Sequence, residues 1–395
     1  MRIALLALLC AALGAAAALG IGRSAGLVGG RTTETVVVRG PAAAAPAGTL
    51  AAVRTAALPL GGGSAFSPAR IFAARSPGVV TVFAYAGSSG AQGSGFVVSR
   101  DGTILTNAHV ITNAGEAGPG TKVRPASRLY VEFADHDRVA ARIVGWDVFD
   151  DVGVIRVPPS AHRLVPLPLG RSAAVVVGEP VAVIGSPLGN QDSLAVGVVS
   201  AVGRSIAALT AVGFELVDAI QTDAPIAHGS SGGPLLDAAG RVIGITAQIR
   251  DDSGGPAGIG FAVPIDAARR SLRALVAGGT VAYAYAGLQA EDLTPALAGY
   301  LGLPVAHGAL VDSVSSGSPA ARAGLRGGSR SLEFEGQSVR LGGDIVLAID
   351  GTPVRNADDL VRIVTNSLRP GQTAVFTVLR DGRKRSIPLR LSVRR

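Results

Sequence analysis

The sequence predicts a mainly β chain of antiparallel barrels or sandwiches, and three observations carry that prediction. Short apolar runs bounded by turn residues recur from residue 79 to residue 263, at the spacing of an all-β architecture. Asp101-Gly102 stands between Phe96-Val97-Val98-Ser99 and Thr103-Ile104-Leu105-Thr106, a strong hairpin signal. Helical patterns over residues 68–280 are confined to Ala69–Arg75 and Asp266–Val276. At 395 residues with 48% apolar content, the chain has material for two folded domains and a leader.

Residues 3–22 form an unbroken apolar or glycine run after Arg2, as long as the roughly 20 residues needed to cross a hydrocarbon core. A retained anchor is expected, since the run exceeds the roughly 7 to 15 residues of a signal core. The competitor is a cleaved signal peptide, because Ala15-Ala16-Ala17 resembles cleavage chemistry. Residues 23–67, rich in Ala, Gly and Pro, read as a flexible linker.

Within 68–280 the expected strands follow in order. Val79–Phe83 comes first, then the Asp101-Gly102 hairpin, whose second strand runs into Asn107-Ala108-His109. Leu129–Phe133 pairs with Ala140–Val144, and the acidic stretch Asp147-Val148-Phe149-Asp150-Asp151 precedes Val152–Val157. Pro180–Gly185, Ala195–Ser200, Val217–Gln221, Val242–Ala247 and Gly258–Val263 complete the set. The helix that closes the segment takes Asp266 as its N-cap and Gly278-Gly279 as its stop. Residues 281–395 form a second unit, in which Gly327–Gly342 reads as a surface loop.

Charge narrows the chemistry. Of the formal +8, residues 1–67 carry 5 basic and 1 acidic residue, 68–280 carry 17 and 17, and 281–395 carry 14 and 10. A neutral central segment without a basic stripe argues against nucleic acid as a partner. The positive flanks suit an anionic membrane surface. The one cysteine, Cys10, excludes an intrachain disulfide and a thiolate metal cluster, and the five histidines show no metal-ligand spacing. No metal or cofactor is expected.

The most informative stretch is Gly229-Ser230-Ser231-Gly232-Gly233-Pro234. Three glycines in five residues let successive N–H groups converge on one point. A hydrolytic serine needs such donors where charge develops on the attacked carbonyl, each worth about 3 kcal/mol of barrier. The bland reading is a Gly/Ser linker, but the apolar runs on both sides place the loop between buried strands. The residues also fit G-x-S-x-G, the elbow of α/β-hydrolases. An elbow enters a helix and precedes its histidine, whereas Leu235–Arg241 reads as a hairpin and only His307 follows. A base and an orienting acid are required as well. His109 and Asp151 are the candidates, although each by itself reads as a solvated or turn residue, and Asp147 and Asp150 read as bystanders.

Together Gly93-Ser94-Gly95-Phe96, Thr106-Asn107-Ala108-His109-Val110, Asp151-Val152-Gly153-Val154-Ile155, Thr222-Asp223-Ala224 through Leu235, and Gly258–Pro264 resemble the HtrA/Deg family of trypsin-like serine proteases with a PDZ domain. The resemblance covers about residues 68 to 394. It implies a chymotrypsin-like double β-barrel over 68–280, with His109 as general base, Asp151 as its orienting acid and Ser231 as nucleophile. Gly229 and Ser231, with Ser230 adjoining, would form the oxyanion hole. Ala227-His228-Gly229-Ser230 stands where the family usually has Asn-Pro-Gly-Asn, and His228 is read as exposed.

The second unit, 281–395, resembles a PDZ domain (α+β) through Gly308–Val311, Ser318–Leu325 and Gly343–Gly351. Tyr285-Ala286-Gly287-Leu288 would be its carboxylate-binding loop. The resemblance implies unfolded polypeptides as substrates, C-terminal peptides as PDZ ligands, a homotrimer, and an exported protease held at the cell membrane or released to the periplasm. The rival reading is a non-proteolytic PDZ adaptor or chaperone-like sensor.

Overall fold

The computed structural model describes residues 66–394, apart from 88, 116–121, 187–192, 208–214, 228 and 248–258. The expected leader over residues 3–22, the linker up to residue 65 and His228 lie outside the described residues. No helix among the described residues is long and apolar enough to cross a membrane.

After helix α1 (Pro68–Arg75), strands β1 (Val79–Ala86), β2 (Ser89–Val97) and β3 (Thr103–Thr106) lead into a short helix α2 (Ala108–Ile111). Strands β4 (Arg128–Glu132), β5 (Arg138–Asp147) and β6 (Val152–Arg156) close a barrel in the order β1-β2-β3-β6-β5-β4. Strands β7 (Pro180–Gly185), β8 (Ser193–Ala207), β9 (Glu215–Thr222), β10 (Pro234–Leu236), β11 (Val242–Ala247) and β12 (Gly260–Pro264) close a second barrel with the same pairing scheme. Helix α3 (Ile265–Val276) follows.

The expected double barrel therefore holds, and its sequence pattern has a physical cause. Strands such as β3 and β11 are buried at every position. One face fills the barrel interior and the other packs on the neighbouring barrel, so they read as continuous apolar runs. Val82, Val97, Ile104, Val131 and Ile155 fill the first interior, and Val181, Val199, Ile220, Leu235 and Ile243 the second. Phe96, Leu105, Val154, Ile184, Leu236 and Ile245 pack between the barrels, with Leu275 of α3. Each such side chain contributes about 1.5–3 kcal/mol by leaving water. At the Asp101-Gly102 turn, Gly102 has φ +91°, and a Cβ there would lie 2.0 Å from the Val157 carbonyl oxygen.

Three local expectations change. His109 sits in α2 and not at a strand end, because β3 stops at Thr106. Asp266 is not the cap of α3; Pro264 holds that position, and the Asp266 carboxylate accepts from Ser172 Oγ (2.9 Å) and the Ala173 amide (3.0 Å). The segment Gly327–Gly342 contains a β-hairpin, because Val339 and Leu341 alternate inward on to a small apolar cluster.

That hairpin belongs to the second unit. Its elements are β13 (Ala284–Tyr285), β14 (Leu288–Leu293), α4 (Pro295–Tyr300), β15 (Gly308–Val314), α5 (Pro319–Arg322), β16 (Arg330–Phe334), β17 (Gln337–Leu341), β18 (Ile345–Ile349), β19 (Thr352–Pro353) and α6 (Ala357–Arg362). A π-helical turn (Ile363–Ser367), β20 (Thr373–Arg380), β21 (Arg383–Arg390) and β22 (Ser392–Val393) complete it. The main sheet runs β14-β15-β18-β20-β21, leaving β14 at one edge. Val311, Val346, Leu360, Phe376 and Leu389 form its core. Buried Asp344 is matched by a two-pronged bond from Arg380 Nε and Nη2, each 2.6 Å.

Candidate active site

Asp151 stands between β5 and β6 with φ +50°, a left-handed conformation that aspartate adopts more readily than other residues with a Cβ when local hydrogen bonds support it. Its own carbonyl supplies part of that support by accepting from Asn107 Nδ2 (2.8 Å) and the Ala108 amide (3.2 Å). The carboxylate then meets α2 twice. Oδ1 accepts the His109 amide at 3.0 Å, and Oδ2 lies 2.7 Å from His109 Nδ1. Holding the proton at Nδ1 leaves Nε2 as the imidazole's acceptor. Burial disfavours the imidazolium, but the Asp151 charge and hydrogen bond outweigh it, and the net effect raises the His109 pKa. The His109 side chain keeps 19% exposure against 4% for Asp151, so the ring faces the cleft and the carboxylate does not.

The serine loop is fastened from both barrels. From β11, Thr246 Oγ1 donates to the Ser230 carbonyl at 2.6 Å, and the Gly232 and Thr246 amides bond across to Thr246 and Gly233. From β2, the Ser94 amide donates to the Ser231 carbonyl (2.7 Å) and Ser94 Oγ to the Gly229 carbonyl (2.6 Å). Ser94 Oγ also accepts the Ser186 amide, and the Ser94 carbonyl accepts Thr106 Oγ1. Gly93 has to be glycine for the same junction: a Cβ would stand 2.7 Å from Val110 and 3.0 Å from the Ser231 carbonyl oxygen. One residue of β2 thus separates the neighbour of His109 from Ser231. Ser94 and Thr246 received no role from sequence; a serine set between two strand glycines was the available signal.

The peptide planes decide which amides face the cleft. N–H and C=O of a trans peptide point opposite ways. With the Ser230 carbonyl taken by Thr246, the Ser231 N–H is directed away from β11. The Ser230 N–H is occupied, donating to the Ala227 carbonyl at 3.0 Å. That removes Ser230 from the expected oxyanion donors. Gly229 takes φ +93° and Gly232 φ +91°, and a Cβ at Gly232 would strike the Ser94 carbonyl oxygen at 2.1 Å.

The neighbours of Asp151 are not turn bystanders. Asp147 and Asp150 are as deeply buried as Asp151. Asp147 Oδ2 accepts from Ser271 Oγ and Tyr283 Oη, and Asp150 Oδ2 accepts from Arg270 Nη2 at 2.6 Å.

In the second unit, Tyr285–Leu288 borders a groove of about 470 Å³ between β14 and α6, lined on the far side by Leu360, Val361, Val364 and Thr365. The carbonyls of Ala286 and Gly287 accept from the Ala320 and Ser315 amides. By the same peptide geometry, the amides of Gly287 and Leu288 face away from those partners. Tyr285 itself is paired in β13 with Ser392.

Comparison with known proteins agrees with this geometry. The trypsin-like peptidase domain family matches residues 93–245 and the PDZ domain family matches 284–391. A probable periplasmic serine endoprotease, DegP-like, of Pseudomonas fluorescens is 36% identical over 297 residues, covering 75% of this chain and 55% of the relative. The chloroplastic protease Do-like 1 of Arabidopsis thaliana is 38% identical over 301 residues, covering 76% and 63%. The solved structure of the HtrA-type protease AlgW with a tripeptide superposes with a TM-score of 0.66 at 32% identity, covering 83% of this chain and 98% of that one. The chain spans between about half and two thirds of the length of the curated relatives it matches.

Proposed function

This chain belongs to the HtrA family of trypsin-like serine proteases that carry a PDZ domain, and we propose that it is itself a serine endopeptidase cleaving exposed, unfolded or misfolded polypeptides of the cell envelope. The observation that carries the proposal is the double grip of Asp151 on His109, through the backbone amide and through Nδ1. A carboxylate that only needed an ion pair would not fix the ring's tautomer and orientation together. In the proposed reaction His109 Nε2 takes the Ser231 hydroxyl proton as Oγ attacks the scissile carbonyl. Asp151 stabilises the imidazolium, and the amides of Gly229 and Ser231 receive the oxyanion. His109 then returns the proton to the leaving amine, and water repeats the sequence on the acyl-enzyme. Residues 68–280 are taken as the protease domain and 281–395 as the PDZ domain. There a peptide would add a strand to the β14 edge and place its terminal carboxylate at the Gly287 and Leu288 amides.

Finer features belong to the same reading. The periplasmic relatives support action outside the cytoplasm, with residues 3–22 as a retained anchor or a cleaved leader. The exposed apolar side chains Leu194, Val196 and Val198, alternating along β8, with Val202 beyond its bulge, support self-association as the family's homotrimer; light scattering of the purified chain tests it. Activity itself is tested with a fluorophosphonate probe. Ser231→Ala should abolish labelling and casein hydrolysis, while Ser230→Ala should keep both. A folded Ser231→Ala protein that still cleaves casein at the parent rate would overturn Ser231 as the nucleophile, and a folded parent that neither labels nor cleaves casein would return the non-proteolytic adaptor to first place.

A further inference from the structure

Asp147, Asp150 and Asp151 put three buried carboxylates into five consecutive residues. Burying like charges so close together is unfavourable unless each finds its own partner. Asp151 has His109. Asp147 has the hydroxyls of Ser271 and Tyr283, and its Oδ1 accepts the Phe149 amide within the turn. Among the described residues, Asp150 takes its hydrogen bond from a cation of a distant element, Arg270 of α3, 120 residues away in sequence.

Arg270 is forked. Nη2 donates to Asp150, while Nη1 donates to Asn366 Oδ1 at 3.2 Å. Asn366 lies in the π-helical turn whose Val364 and Thr365 line the peptide groove. The guanidinium also covers the ring of Tyr283 at 5.3 Å, and Tyr283 packs on Phe149 of the same acidic turn at 5.1 Å. A second arginine from the groove wall, Arg394, stacks over Phe149 itself at 5.3 Å. Asp218 of β9 feels the charges of both Arg270 and Asp150, and also those of Arg362 of α6 and Asp266 of α3.

We propose that Arg270 is a positioning residue for Asp151, holding from behind, through Asp150 and from an anchor on Asn366, the turn that presents Asp151 to His109. The geometry is one of backbone continuity. Asp150 and Asp151 share a peptide plane, so a rotation of the Asp150 backbone also moves Asp151, which sits at φ +50°. Asn107 and Ala108 fix the front. Without Arg270 the Asp150 carboxylate has no cation among its described partners, and its route back to water turns the plane that carries Asp151. A shift of about 1 Å at a catalytic group costs on the order of 10²-fold in rate. The inference rests on the triad reading given above.

The test uses Arg270→Gln, Asp150→Asn and the double variant in the full chain, with kcat and KM on a short chromogenic peptide ester and the pH profile of kcat/KM. Arg270→Gln should lower kcat by 10- to 100-fold with KM within twofold. It should also move the acid limb of the profile to lower pH, because His109 loses part of its contact with Asp151. The double variant should lose no more than the worse single one, since both remove the same clamp. A folded Arg270→Gln protein with parent kcat, a loss confined to KM, or additive losses in the double variant would overturn the proposal. If Arg270→Gln does not fold, Asn366→Ala, at a half-buried position, releases the same fork from its other end. It should then lower kcat at least threefold at constant KM, and an unchanged kcat overturns the proposal. Fluorophosphonate labelling of the parent separates the two levels. An unlabelled, inactive parent rejects the triad reading and this inference with it, whereas a labelled parent with an indifferent Arg270→Gln rejects the inference alone.

Discussion

At the scale of single residues, the chemistry turns on how one carboxylate is shared. Asp151 binds the amide of His109 as well as its ring, so replacing it has two separable consequences. Asp151→Asn should leave the fold intact and lower kcat by about 10⁴-fold, since an amide favours the wrong imidazole tautomer. It should also move the acid limb of kcat/KM. His109, as the proposed base, must be neutral to act, and the Asp151 charge raises its pKa above the ordinary value. The parent's activity should therefore rise with pH through a midpoint above about 6.5, the ordinary histidine value, and the residual activity of Asp151→Asn through a lower one. The ion pair's contribution to stability follows the same sign: it is present below the unfolded pKa and lost as pH rises through the folded one. A midpoint unmoved by the substitution, in a pH series on a small ester, would mean that Asp151 does not set the charge of His109.

At the scale of elements, the PDZ groove shows why one plausible substitution is a poor probe. Gly287→Val follows from the sequence as a way to block the carboxylate loop. A Cβ at Gly287, however, would lie 2.2 Å from Ser318 Cβ at a φ of +78°, so the change strains the loop before any ligand arrives. Val361 on α6 faces the groove and is only half-buried, which makes it the better position. Val361→Asp should weaken binding of a peptide with an apolar C-terminus at least tenfold by placing a charge against its apolar anchor, with hydrolysis of a small ester unchanged. Calorimetry that finds equal affinity for parent and variant would locate the peptide elsewhere.

At the scale of the whole molecule, the acidic turn ties protease barrels, helix α3 and the second unit together, and its energetics should be visible in stability. Burial first, and then the charge of Asp150, push the Asp147 carboxyl up to about 6, against the hydrogen bonds from Tyr283 and Ser271. Its folded pKa thus exceeds the unfolded value of about 3.9. The favourable contribution is complete below the unfolded pKa and is lost as pH rises through about 6. Asp147→Asn cannot ionise and still offers an oxygen to Tyr283. Its melting temperature relative to the parent should therefore increase between about pH 4 and pH 6 and level off above; a difference independent of pH contradicts a buried, raised carboxyl. The leader allows a second measurement at this scale. A retained anchor over residues 3–22 predicts that the mature protein stays with membranes after high-salt washing and begins at residue 1, and a soluble form beginning after residue 20 identifies a cleaved signal instead.

Features that depend on local pattern can be read along the chain: the strand runs, the Asp101-Gly102 hairpin, the glycine loop around Ser231, and His109 and Asp151 as candidates through their motifs. These are legible because alternation, turn chemistry and positive-φ glycines act within a few residues. Only the tertiary structure decided what depends on partners far apart in the chain. Asp147 and Asp150 look like solvated turn residues until α3 and Tyr283, more than a hundred residues later, are folded against them. Ser94 looks like an ordinary strand serine until the serine loop arrives 135 residues later to use its amide and hydroxyl. Ser230 reads as an adjoining oxyanion donor until the orientation of one peptide plane commits its amide to Ala227. A polar side chain's role is set by whether its partner comes from its own turn or from another element, and only the first of these is written in the local sequence.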